Sequence, residues 1–209
     1  MSGEQKYKEG DALSQTMEAT NKSEVIVFTN KQQVYKFKVS EFEDSKASVL
    51  GAYLPTKLNM EEGEAVIYLC IPGDYSGSIL FFYESGKVAK VELSGYDTKS
   101  NRRRLTGAYS DKTPLAGIML LKEDTEIALY STEGRVVIFN SALLTPKSAR
   151  TTQGVNIMTL KAKYKLRKAA RLDETTIVNL SRYRARSLPA AGALLKEEDM
   201  EEKQVALEL

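Results

Sequence analysis

Three consecutive arginines, Arg102, Arg103 and Arg104, stand in the stretch NRRRLTGAYS, and a second stretch, TLKAKYKLR, sets Lys161, Lys163, Lys165 and Arg167 at alternate positions. Cations at this density neutralise phosphates and release their counterions, which gives affinity for a polyanion without reading a base sequence. A third stretch, Ser181-Arg182-Tyr183-Arg184, sets a tyrosine between arginines, and no acidic Mg²⁺-binding motif accompanies it for phosphodiester chemistry. The chain also has no histidine to serve as a base. The single cysteine, Cys70, excludes an internal disulfide or a cysteine-cluster metal site, and its setting AVIYLCIP reads as a buried strand. No Walker A loop, dinucleotide fingerprint, metal-ligand spacing or nucleophile elbow occurs, so no cofactor and no metal is expected. ESGK (84–87) and TEGR (132–135) read as hairpin turns, because no helix follows to complete a phosphate cradle.

The charge is unevenly distributed. The whole chain of 209 residues carries 30 Lys and Arg against 28 Asp and Glu. Residues 1–160 hold 19 basic and 20 acidic residues, residues 161–186 hold nine and two, and residues 196–209 hold two and six. A neutral body, a basic segment and an acidic tail point to a polyanionic partner, with a tail that competes for the same cations. The start MSGEQKYKEG lacks the apolar core of a signal peptide, and no run of 18 apolar residues spans a membrane. A reducing cytoplasm fits the cysteine usage.

The elements that must position these cations form a repeat. SILFFYESGKVAKV (78–91), EIALYSTEGRVVIF (126–139) and EVIVFTNKQQVYKF (24–37) are each an apolar run, a turn and a second run. Phe28, Phe82 and Tyr130 each precede a valine by six residues, at Val34, Val88 and Val136. A glycine follows each valine after 17 to 19 residues, at Gly51, Gly107 and Gly154, which read as one repeated corner. Gly51 and Gly107 open the same tripeptide, Gly-Ala-Tyr, whose Tyr53 and Tyr109 are expected in the core. β-Branched and aromatic runs broken by tight turns specify short strands, and a period near 50 residues with four strands per unit is blade-like. The expected fold is all-β, with blades near 6–58, 59–113 and 114–160, a remnant of a fourth over 161–195, and an acidic tail or frayed helix over 196–209. Residues 160–167 are expected to form a strand with one basic face, and TTIVNL (175–180) reads as one further strand.

The repeat words FTNKQQVYKFKVSEF (28–42), EEGEAVIYL (61–69), ESGKVAKVEL (84–93) and STEGRVVIFNSALLTPKSARTTQGV (131–155) resemble those of one family. They are similar to the C-terminal domain of bacterial type IIA topoisomerase A subunits, those of DNA gyrase and topoisomerase IV. The resemblance implies a β-pinwheel of strand-exchanged blades that binds and bends double-stranded DNA without sequence preference. It implies a non-catalytic module of an ATP-dependent enzyme, acting with the B subunit, and with the rest of the A subunit, in the bacterial cytoplasm at the nucleoid. The gyrase branch carries a loop resembling Gln-Arg-Arg-Gly-Gly-Lys-Gly, and residues 101–107 keep its arginine pair and last glycine but replace the middle glycines and the lysine. A topoisomerase IV-like or diverged gyrase member is therefore implied.

On that reading the DNA contacts are Arg102, Arg103 and Arg104, with Lys46, Lys99, Lys147 and Arg150 in the equivalent loops. Lys161, Lys163, Lys165 and Arg167 extend the track. The alternative is a propeller-like scaffold for protein partners without nucleic acid. A propeller enzyme acting on sugars or nucleotides is disfavoured, because the chain lacks histidine and convergent carboxylates.

Overall fold

The computed structural model describes residues 15–42, 51–98 and 102–200. Its strands in chain order are β1 (Glu24–Thr29), β2 (Gln33–Lys38), β3 (Val66–Cys70), β4 (Ser78–Tyr83), β5 (Lys87–Glu92) and β6 (Arg104–Thr106). They continue with β7 (Leu115–Leu121), β8 (Glu126–Ser131), β9 (Arg135–Asn140), β10 (Val155–Asn156), β11 (Leu166–Arg171) and β12 (Ala193–Leu194). The only α-helix among the described residues is one turn, α1 (Leu54–Lys57). The fold is all-β, as expected.

The three hairpins are β1–β2, β4–β5 and β8–β9. Phe28 faces Val34, Phe82 faces Val88 and Tyr130 faces Val136 directly across the ladder, so the spacing of six is the separation of cross-strand partners. A lone hairpin leaves two unpaired edges, which strands from further along the chain close. The sheet orders are β3-β1-β2-β6, β10-β5-β4-β7 and β11-β8-β9-β12. In the first two, the strand before the next hairpin pairs with the first hairpin strand, and the strand after it with the second. In the third sheet β11 and β12 take those places. The hairpins thus lie within the three stretches read as blades, whereas each sheet's outer strands come from later in the chain. Residues 161–195 supply β11 and β12 to the third sheet.

Two expected strands take other forms. Residues 161–165 make a turn, with the Thr132 amide donating to the Lys165 carbonyl at 2.8 Å and the Leu166 amide to the Glu84 carbonyl at 2.9 Å. The strand starts only at Leu166, so Lys161, Lys163 and Lys165 share no strand face. Residues 175–180 form a single bridge, Ile177 to Met200, rather than a strand.

Two compact units divide the chain: Met1–Ser76 with Leu93–Tyr109, and Gly77–Glu92 with Ser110–Leu209. The first holds the first sheet. Val25, Val27, Tyr35 and Phe37 pack on one face with Leu54, Leu58 and Met60. On the other face Phe28 meets Tyr96 edge-on at 5.3 Å between ring centroids. Cys70 is buried in β3 opposite Ile26. Tyr109 is buried and its hydroxyl donates to the Thr29 carbonyl at 2.6 Å. Tyr53, expected in the core, is 72% exposed because it precedes α1 outside the sheet.

In the second unit the other two sheets pack face to face. Leu80, Phe82, Val88 and Leu121 of one meet Ile127, Leu129, Val137 and Phe139 of the other, each contributing about 1.5–3 kcal/mol relative to exposure. The odd–even alternation along β8 and β9 sends Ala128, Val136 and Ile138 to the opposite face, under Tyr183, Leu172, Ile177, Leu180 and Leu195. Lys90 is buried in β5 and pairs with Asp124 at 2.7 Å, holding that carboxyl below its usual range.

The glycines read as one corner occupy three different places. Gly154 lies against the hairpin, where a Cβ would come within 2.3 Å of the Val88 carbonyl oxygen; its φ is +76°. Its structural counterpart is Gly192, with φ +72° and a Cβ position 2.4 Å from the Val136 carbonyl oxygen. In the first sheet Thr106 faces Gln33 while the Ala108 amide bonds the Gln32 carbonyl, so Gly107 is the extra residue of a bulge. The residue in register with Gly154 and Gly192 is Arg104, which faces Tyr35. Gly51 has nothing within 4 Å of its Cβ position. Gly154→Ala and Gly192→Ala should each cost about 2–3 kcal/mol, from left-handed backbone strain and the carbonyl clash. The loss should read as a lower urea midpoint at unchanged slope. Gly51→Ala should leave the midpoint in place.

Candidate nucleic-acid interface

The described cations sort by what each one already touches. In the first unit, Arg102 is exposed with no carboxylate within ion-pair distance among the described residues, and its carbonyl accepts from Thr98 Oγ1 at 2.9 Å. Arg103 Nη1 lies 2.7 Å from Glu41 Oε2, while its side chain stays 69% exposed. Arg104 is bound on three sides: Nε donates to Gln33 Oε1, Nη2 donates to Glu61 Oε1, and the guanidinium lies 5.9 Å from the Tyr35 ring centroid. The Arg104 hydrogen bond holds the Glu61 carboxyl below the usual range.

That arrangement has a mirror in the third sheet. There the hairpin supplies the arginine, and Arg135 Nη1 donates to the carbonyl of Gly192 at 2.9 Å. In the first sheet the hairpin position of Arg135 is filled by Gln33, and the outer-strand position of Gly192 by Arg104. Donor and acceptor have exchanged strands across the same seam. Arg104 therefore ties β6 to its hairpin.

Lys46 and Lys99 lie outside the described residues. In the second unit Lys147 is exposed, and with Lys90, Thr145 and Thr152 it lines a cavity of about 400 Å³ beside β5. Arg150 is half-buried in the same loop. Around the β8–β9 turn, Lys161 pairs with Glu133 at 2.7 Å and Lys165 with Glu84 at 2.8 Å. The other cations of 161–168 have no carboxylate within ion-pair distance among the described residues, and each lies on a ring. Lys163 Nζ is 5.0 Å from the Tyr164 centroid, Arg167 Cζ is 5.5 Å from Tyr130, and Lys168 Nζ is 5.6 Å from Tyr130. Burial pushes the Tyr130 hydroxyl up, and the Arg167 charge opposes that rise. Lys168 is not among the cations that the sequence pattern singles out. Strict alternation would turn it away from Arg167, and only the bulge between Leu166 and Lys168 puts both over one ring.

Tyr183 and the head of the acidic tail form one structure. Tyr183 is buried, and its hydroxyl donates to the fully buried Asp199 carboxylate, which also accepts from Arg182 and, at 2.5 Å, from Asn179 Nδ2. The Lys196 amide donates to the Tyr183 hydroxyl oxygen at 3.2 Å, and Glu198 pairs with Arg182 at 3.3 Å. Arg184 forms a two-point pair with Glu126, at 2.7 and 2.9 Å. Residues 196–200, read as a loose tail or frayed helix, are a docked turn in which Glu197–Asp199 is 3₁₀. A buried carboxylate with three donors fixes the segment in a way that its composition alone does not reveal. The rest of the acidic tail lies outside the described residues.

Among the described residues no group of three or more Asp, Glu, Cys or His gathers as metal ligands, and no helix is long and apolar enough to cross a membrane. No family model matches the chain. It is 24% identical over 158 residues to the A subunit of DNA topoisomerase 4 from Staphylococcus aureus strain MRSA252, covering 74% of this chain and 20% of that protein. The chain thus spans about a fifth of the length of the curated relatives it matches. Its fold is similar to that of the C-terminal domain of DNA topoisomerase IV, with a TM-score of 0.71 at 20% identity over 86% of this chain and 62% of the other. It is also similar to the E. coli ParC C-terminal domain, with a TM-score of 0.66 at 13% identity over 92% and 84%. A DNA gyrase A C-terminal domain superposes with a TM-score of 0.59 at 19% identity over 87% and 64%. The resemblance carried by the repeat words extends to the three-dimensional fold, that of the β-pinwheel.

The Tyr183, Asn179 and Arg182 donors hold the Asp199 carboxyl below the ordinary aspartate range, Tyr183 foremost. A depressed carboxyl contributes stability that is complete above its unfolded value, near 3.9, and is lost as pH falls through the folded value. Asp199→Asn should lower the urea midpoint at pH 7. The gap to wild type should close on acidification below about pH 4, followed by denaturant melts across pH.

Proposed function

We propose that the chain is a DNA-binding module of a topoisomerase IV-like A subunit, holding duplex DNA beside a cleavage core carried elsewhere in the enzyme. The observation that carries this reading is the strand-exchanged fold, similar over 86% of the chain to the C-terminal domain of DNA topoisomerase IV. The cations supply the chemistry. Arg102, Lys147, Lys163, Arg167 and Lys168 are exposed without a carboxylate partner among the described residues, and phosphates are the anions that such unneutralised cations suit.

On this reading the module performs no bond-breaking. Tyr183 is buried under the third sheet with its hydroxyl committed to Asp199, a poor position from which to attack a phosphodiester. DNA is bound and bent by phosphate contacts alone, while the B subunit, with the rest of the A subunit, supplies cleavage and ATP chemistry. The working place is the bacterial cytoplasm, at the nucleoid. Arg103, Arg104, Lys161 and Lys165 take part only by giving up the carboxylates they already pair with, and Arg150, Lys46 and Lys99 remain candidates from sequence.

The test is a salt series of binding to a short random-sequence duplex, read by fluorescence anisotropy. The module should bind random and shuffled duplexes alike, with log affinity falling linearly against log salt and a slope of several units. Absence of binding at low salt would sink the reading and favour the protein-scaffold alternative.

A further inference from the structure

The pair Arg167 and Lys168 is unusual for what it shares. Adjacent residues of a regular strand project to opposite faces, yet here both cationic groups lie within 5.6 Å of the centroid of one ring, Tyr130. The bulge that achieves this inserts Arg167 between Leu166, which faces Ser131, and Lys168, which faces Tyr130. Two like charges held near one ring repel each other, and an anion that meets both offsets that repulsion. Their neighbours behave differently. Lys161 and Lys165 are neutralised by Glu133 and Glu84, and Arg171 on the same strand pairs with Asp173 at 3.2 Å.

We propose that Arg167 and Lys168, seated on Tyr130 and flanked by Lys163 on Tyr164, form a clamp for phosphodiester groups of a duplex backbone. The inference rests on the nucleic-acid reading above and locates within the second unit the contact that carries most of the binding. A ring holds a cation in place without cancelling its charge, whereas a carboxylate does both. The clamp groups are thus pre-positioned and still charged. Lysines along an outer strand also guard against edge-to-edge pairing. That role requires no ring and no bulge, and it predicts a different defect.

The test compares three variants of the full chain in the duplex salt series, each with a thermal melt to show that the exposed substitutions leave folding intact. Arg167→Gln with Lys168→Gln should weaken binding about tenfold or more at low salt. It should also reduce the slope of log affinity against log salt by about 2, the loss of two phosphate contacts. The charge-conserving swap Arg167→Lys with Lys168→Arg should keep the slope. Lys161→Gln with Lys165→Gln should reduce it by less than half as much. A wild-type slope and affinity in Arg167→Gln/Lys168→Gln would overturn the clamp while leaving duplex binding in place, and self-association of that variant without loss of affinity would mark an edge guard instead. Equal losses from the two Gln pairs would also overturn it, showing that only total charge matters. Failure of the wild-type chain to bind duplex at low salt would overturn the clamp and the function together.

Discussion

Each of the three sheets among the described residues depends on the closure of a hairpin's two open edges by strands from further along the chain. A two-stranded ribbon leaves a row of unsatisfied amides and carbonyls on each side and is marginal on its own. Here β3 and β6 complete the first hairpin, β7 and β10 the second, and β11 and β12 the third. Three of those strands are two or three residues long, at β6, β10 and β12. Strands that short gain little from their own propensity, so the seam beside each one needs further fixing.

The seams are fixed in two ways. At Gly154 and Gly192 the backbone of the arriving segment approaches the hairpin so closely that a carbonyl oxygen occupies the space of a side chain. At Arg104 a side chain is present at the equivalent register, and it bonds the hairpin through Gln33. The third sheet adds Arg135 to its glycine seam, reaching the Gly192 carbonyl from the hairpin side. Arginine serves both arrangements because its planar fork offers several donors in fixed directions, whichever strand carries it. The loop with the densest positive charge in the sequence is thus partly a device for sheet closure.

The hairpins were legible in the sequence because their signal is local and doubled. An aromatic residue six before a valine, with a turn between, sets the strand type, the register and the turn in one pattern, and Phe28–Val34, Phe82–Val88 and Tyr130–Val136 all pair accordingly. The outer strands were not legible, since two or three residues show no periodicity and their partners lie far off in sequence. Matching words misled where register decides. Gly51-Ala52-Tyr53 and Gly107-Ala108-Tyr109 are identical, yet Tyr109 is buried against Thr29 and Tyr53 is exposed. The alternation of 160–167 misled for a related reason: a period of two is also what a chain crossing a turn can show by composition. Asp199 gave no signal at all, because a buried aspartate is recognised only by the donors folded around it.

The same distinction between composition and contact governs the candidate interface. Counting cations ranks Arg102–Arg104 first. A paired arginine, however, must release its carboxylate before it takes a phosphate, so the exchange trades one anion for another and yields less than binding by an unpaired group. The displaced Glu61 would keep only Lys31, at 3.8 Å, as its partner cation. A tyrosine ring imposes no such penalty: the cation stays on the ring face and meets a phosphate with its outer side. By this reasoning the ring-seated groups of residues 163–168 outrank Arg103 and Arg104, whose guanidinium groups are already held by Glu41 and Glu61. The partners of each cation decide which of them are available to an incoming anion.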